Sequence, residues 1–290
     1  MLFGLLPHVL TVSLNWTILL YVSVSSYTED RQMNPKPVPL TRYIDRCVYC
    51  GSTERLTDEH IVPHGLKGPW RLLKGSCRVC NKITSAFEKR VLREQFILPR
   101  AALGLPTYHP KKRPQKFSFE VERNGHRETI VLPGTECPPL FVMLTMEKPR
   151  YMENYDYEKG VKVTGGSLHG PELLKIKEKL KIDSLSVKVN ISGNCFERML
   201  AKIAYGMTIL AYGPSALEEC YVLPCILGQK DDAGYWVGSS GRDFAALPVE
   251  KQLHRIFLMV KGNEVGASIR LFANYQTPEY FVIVGKLKQV

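Results

Sequence analysis

The chain has 290 residues, with 39 Lys and Arg against 28 Asp and Glu, a formal charge of +11. That length allows about two domains, and 44% hydrophobic with 23% charged residues excludes wholesale disorder, collagen-like repeats and a multi-span membrane protein. The positive balance fits an acidic polymer such as nucleic acid, an anionic membrane surface, or a solvated basic surface with no partner.

Residues 1–28 contain no charged side chain and are dominated by Leu, Val and Ile. A secretory signal would want a basic residue ahead of the apolar run, and none is present. A membrane anchor is long enough, and Arg31, Lys36, Arg42 and Arg46 behind it would keep the body cytoplasmic. Alternatively, translation starts at Met33, where the composition turns abruptly polar and Pro-rich, and residues 1–32 are an extension. The last two readings are favoured. Both leave the cysteines in a reducing, cytoplasmic compartment, with a membrane as partner only if residues 1–28 are translated and retained.

Residues 40–100 form a dense block with two Cys pairs and a helical run over 83–99, whose apolar positions Phe87, Val91, Leu92 and Ile97 share one face. Residues 101–114 read as an extended basic linker around Pro106, Pro110 and Lys111-Lys112-Arg113. Residues 115–290 follow as an accessory or target-recognition domain. Its alternating runs at 117–121 and 129–132 flank Asn124-Gly125, a hairpin signal. Helices are expected over 171–182 and 195–212, and strands over 255–260, 268–272 and 280–284. The fold class is therefore α+β, with antiparallel strands packed on helices.

Eight cysteines are too dilute for a disulfide scaffold, so spacing carries the information. Cys47-x2-Cys50 and Cys77-x2-Cys80 stand 26 residues apart. Each pair can supply two thiolates from a tight knuckle, and two knuckles close a tetrahedral shell. Four soft ligands and no open position predict a structural Zn²⁺. Cys137, Cys195, Cys220 and Cys225 lack ligand spacing and read as buried small hydrophobes.

Between the pairs lies Asp58-Glu59-His60-Ile61-Val62-Pro63, and Asn81 follows the last cysteine. The zinc site draws both toward one place. A carboxylate and an amide oxygen can hold a hard cation such as Mg²⁺, and a neutral imidazole beside them can deprotonate a water. His64 reads as a surface residue, Pro63 and Gly68 as turn formers, and Lys111, Lys112 and Arg113 as a solvated charge run, with a basic arm that contacts phosphates as the alternative.

Over residues 47–88, the order CVYC, DEHIVP, CRVCN and then the helix ITSAFEKRVL resembles the HNH, or ββα-metal, endonucleases. The resemblance implies an N-terminal ββα-metal module and a phosphodiester hydrolase acting on DNA. His60 matches the general base, Glu59 the acidic ligand and Asn81 the residue that completes the site of one Mg²⁺ or Mn²⁺, which stabilises the departing 3′ oxygen. Two positions depart from the pattern. Leu72 stands where many members carry an Asn that orients the histidine, so a backbone carbonyl would have to substitute. Thr84 replaces a Lys, leaving Arg78, Lys82, Lys89 and Arg90 as the expected phosphate contacts. The alternative expectation is a non-catalytic four-cysteine module that binds nucleic acid.

Overall fold

The computed structural model describes residues 8–13, 38–156, 160–170, 173–191 and 194–289. In chain order, β1 (His8–Ser13), β2 (Thr41–Tyr43), β3 (Leu56–His60) and β4 (Arg71–Cys77) lead into α1 (Arg78–Arg90) and α2 (Ile97–Ala102). Then come β5 (Lys116–Arg123), β6 (His126–Pro133), β7 (Phe141–Met146), β8 (Val163–His169), α3 (Leu173–Leu180) and β9 (Ser184–Ile191). The chain continues through α4 (Cys195–Tyr212), β10 (Leu217–Cys220), α5 (Leu223–Leu227), α6 (Ala233–Trp236) and β11 (Val237–Ser239). Three strands finish it: β12 (His254–Lys261), β13 (Glu264–Leu271) and β14 (Tyr280–Leu287).

The class is α+β, as expected. A three-stranded sheet has the order β2-β4-β3, in which β4 is parallel to β2 and antiparallel to β3. The other sheets are antiparallel: β1-β9-β5-β6, the pair β7-β8, and β10-β14-β13-β12 with β11 also on β14. The β5–β6 hairpin turns at Asn124 and Gly125, both at positive φ (51° and 75°), as a tight two-residue turn between right-twisted strands requires. Within the apolar extension, only β1 is described, paired along β9 from His8 to Ser13. The rest of residues 1–32, and Met33, lie outside the described residues. Among the described residues no helix is long and apolar enough to cross a membrane.

The helix expected over 83–99 begins earlier and breaks in the middle. Cys77 caps α1, its sulfur accepting from the Cys80 amide, which moves the start to Arg78. Pro99 has no N–H to offer the Gln95 carbonyl and its ring crowds that turn. The chain widens over Val91–Gln95, where the Phe96 amide reaches back to Val91 O, before α2 resumes.

One apolar core runs from Ile44 to Val284, so packing crosses the 101–114 segment between the two expected regions. Its axis is α4, in which fifteen of eighteen residues are buried. This helix packs against α1 on one side and against β13 and β14 on the other. A Cβ on Gly206 would meet Ile61 Cγ1 at 3.0 Å, so α4 passes close against the chain just after β3. A smaller core between β5, β7 and β9 holds Phe119, Val121, Val142, Leu185 and Val187. Burying each such side chain contributes roughly 1.5–3 kcal/mol.

Candidate metal centre and the Glu59–His60 strand

The four expected cysteines converge. The Sγ atoms of Cys47, Cys50, Cys77 and Cys80 all lie within 4.8 Å of one another, the only such group of metal-ligating side chains among the described residues. The first knuckle turns on Gly51 at φ 76°, with the Gly51 amide on Cys47 O at 2.8 Å and the Cys47 amide on Ser52 O at 2.7 Å. The second knuckle is the joint of β4 and α1, so one strand end and one helix start deliver two sulfurs. The Val48 amide bonds Gly75 O at 2.8 Å and locks one knuckle on the other.

Around an ion with Zn–S bonds of about 2.3 Å, tetrahedral sulfurs stand roughly 3.8 Å apart. Cys50 and Cys77 Sγ are 3.6 Å apart. The donor set and its spacing fit a metal such as zinc. Burial raises the Cys47 and Cys80 thiols, whereas the Cys80 amide and neighbouring sulfurs hold Cys77 down at about 7 despite its own burial. A divalent ion would make thiolates of all four and release protons as it binds. Cys137, Cys195 and Cys225 are buried and Cys220 is half-buried, none of them in a ligand cluster.

Glu59 and His60 are consecutive residues of β3, and consecutive strand residues project to opposite faces. Register with β4 shifts between Thr57 and Glu59. Asp58 holds that irregularity, its Oδ1 accepting from the amide of Lys74, itself at φ 55°. Asp58 is thereby committed to the hairpin. Past the bulge Glu59 points inward and is 4% exposed, while His60 is half-buried on the other side.

On the inner face Glu59 meets a partner that sequence reasoning missed. Lys202 of α4 places Nζ 2.6 Å from Glu59 Oε1 and 2.6 Å from Glu88 Oε1 of α1. The same ammonium donates to His60 O and reaches Ile61 O at 3.4 Å. Burial alone would lower the Lys202 pKa, but the two carboxylates outweigh it and raise it. Burial pushes Glu88 up to about 7 against the pull of Lys202. Lys202 thus welds β3, α1 and α4 together at the backbone of the candidate base. Leu72, where a supporting Asn was absent, is fully buried opposite Glu59. The one sequence signal for Lys202 is a single cation inside the apolar run Met199–Leu210. Glu59 Oε2 is buried and makes no hydrogen bond, which leaves one acceptor oxygen of that carboxylate over.

On the outer face the His60 ring lies 5.3 Å from the His64 ring, and His64 stacks on Tyr108 at 4.7 Å and 24°. His64, expected as an isolated surface residue, is therefore part of this cluster. Arg71, exposed, stands across from His60 in the ladder. Burial foremost, then His64, Lys202 and Arg71, lower the His60 pKa, with Glu59 opposing. Its Nδ1 is buried and makes no hydrogen bond.

Asn81 is half-buried in the first turn of α1, its carbonyl accepting from Thr84 Oγ1 at 3.3 Å. It lies seven residues before Glu88, hence nearly in line with it on the helix and about 10 Å away along the axis. Arg78, Lys82, Lys89 and Arg90 are all exposed, away from the buried Cys80, Thr84 and Phe87. The exposed cation across from His60 is Arg71 rather than any of these four. No family model matches the chain, and comparison with curated proteins and with solved structures found no match.

Proposed function

We propose that the chain is a metal-dependent endonuclease, hydrolysing phosphodiester bonds in DNA, with a zinc-stabilised frame. The observation that carries this reading is a sulfur cluster that ties the loop before β3 to the joint of β4 and α1, while β3 pairs along β4, so that an acidic-His strand and the Asn81 turn belong to one ββα unit. That arrangement agrees with the likeness to HNH enzymes in the order of its motifs. The four cysteines would hold Zn²⁺; Glu59 and Asn81 would hold Mg²⁺ or Mn²⁺, which requires the Glu59 carboxylate to leave Lys202 and turn toward the His60 face. The bound ion would supply Lewis-acid stabilisation of the departing 3′ oxygen. His60 takes the proton of the attacking water, and Lys202 fixes the His60 backbone from behind. Arg71 is the nearest candidate for a phosphate contact, with Arg78, Lys82, Lys89 and Arg90 extending the basic surface along α1.

A second reading has its own observation. The Glu59 carboxylate is buried against Lys202, so it serves as a packing element whether or not a cation reaches it. On that reading the module binds nucleic acid and does not cut it. Purified full-length protein on supercoiled plasmid separates the two. Nicking that requires added Mg²⁺ or Mn²⁺ supports the nuclease; retained DNA binding with intact plasmid selects the second reading.

A further inference from the structure

We propose that the His64–Tyr108 stack is a platform for an unpaired nucleobase of single-stranded DNA beside His60. The inference rests on the nuclease reading and names the form of substrate that reading would take. Tyr108 is 72% exposed, the highest value among the exposed large hydrophobic side chains. One face of its ring is covered by His64, and solvent has access to the rest. An aromatic ring held flat by a neighbour offers a base its face without first losing side-chain freedom.

The platform is built rather than incidental. Buried Arg100 of α2 donates from Nε to Gly65 O at 2.9 Å, from Nη1 to Leu92 O at 2.9 Å and from Nη2 to Pro106 O at 3.1 Å. It therefore ties the turn that carries His64 to the segment that carries Tyr108. Arg113 donates to Leu105 O from the other side, and His254 Nε2 bonds Leu66 O at 2.7 Å. The Tyr108 segment continues into exposed Lys111 and Lys112, and Arg71 stands across from His60. An aromatic face set among cations is the arrangement that holds a single strand, by stacking for the base and charge for the phosphates. The ring contacts run from Tyr108 through His64 to His60; a base on the free face of Tyr108 lies on the side away from His64, so the adjoining nucleotide is the one that would pass near the candidate general base.

The test uses the full, zinc-loaded chain carrying His60→Ala and no added Mg²⁺ or Mn²⁺, so that binding is read without cleavage. Probes are a short single-stranded DNA containing 2-aminopurine and the same sequence as a fully paired duplex. Tyr108→Ala is expected to weaken single-strand binding about tenfold and to remove the quenching of 2-aminopurine, with duplex affinity changed by less than about twofold. Tyr108→Phe keeps the ring and stays within about twofold of the parent. The proposal is overturned if Tyr108→Ala binds the single strand as the parent does, if both probes weaken equally, or if Tyr108→Phe loses as much as Tyr108→Ala. Ring-dependent binding by a protein whose wild type never nicks plasmid would sink hydrolysis and leave the platform standing. Nicking by wild type without any role for Tyr108 would do the reverse.

Discussion

Strand β13 buries seven of its eight residues, whereas β3 buries one of five, and that one is Glu59. The C-terminal sheet is held by Val265, Ala267, Ile269 and Leu271 against α4, and it has a charge cluster of its own: fully buried Arg270 donates to Pro248 O and Thr277 O, and Arg255 bonds Glu250 Oε1 at 2.6 Å and Glu279 Oε1 at 3.2 Å. The cysteine region lacks such a strand. At its joint with α4, Ile61 packs close to Gly206 beside two carboxylates around the Lys202 ammonium, and its knuckles close on sulfur. The difference teaches where function can reside. A sheet with a continuous buried strand closes without sulfur, whereas a region whose knuckles converge on four sulfurs leaves His60 and His64 half-buried and Arg71 exposed.

Metal removal should break this contrast most severely. Structural zinc contributes roughly 10–16 kcal/mol in small metal-folded modules. Chelation, or Cys77→Ser, is therefore expected to raise hydrogen exchange in β3, β4 and α1 far more than in β12–β14. Equal loss of protection in both regions would mean that the frame does not depend on sulfur.

Lys202→Met comes next. It leaves Glu59 and Glu88 facing each other in a buried site, and breaking such a cluster costs about 3–5 kcal/mol. Denaturant titration should show that loss, and adding Glu59→Gln and Glu88→Gln should recover most of it. If the triple variant is no more stable than Lys202→Met alone, the charges are not what Lys202 serves.

His254 sharpens the comparison from the other region. Burial lowers its pKa to about 4, while its Nε2 bonds Leu66 O and its Nδ1 accepts from the Phe272 amide. The fold favours the neutral ring, so the stability it supports is complete above the unfolded value near 6.5 and is lost as pH falls toward 4. That window carries roughly 3 kcal/mol. Acid titration of stability in wild type and His254→Gln should diverge there; parallel curves would assign acid lability elsewhere.

Periodicity and spacing made the C-terminal half and the cysteines legible. α4 spans Cys195–Tyr212, the bounds its apolar run predicts, although it is buried nearly all round, and β12–β14 lie where alternating runs meet turn residues. Of the strands not expected from the sequence, β8 carries little signal in Val163-Thr164-Gly165-Gly166 and takes its shape from pairing with β7, whereas β9 alternates at Leu185, Val187 and Val189 and β7 opens on a continuous apolar run. At the site, the motif located Glu59, His60 and Asn81 but not their surroundings. Lys202 lies 142 residues from His60, and only the fold brings them together. Tyr108 meets His64 through Arg100, a tie that no local pattern announces.

We propose that His60, half-buried on the outer face of a strand paired to the sulfur-bearing β4, works as a base. The direct measurement is plasmid nicking by wild type and His60→Ala, at equal zinc content and equal thermal stability, with Mn²⁺ or Mg²⁺ added. Nicking by wild type that falls by about a hundredfold or more in His60→Ala is the expected result. Equal nicking by the two proteins, or none by either, would contradict it.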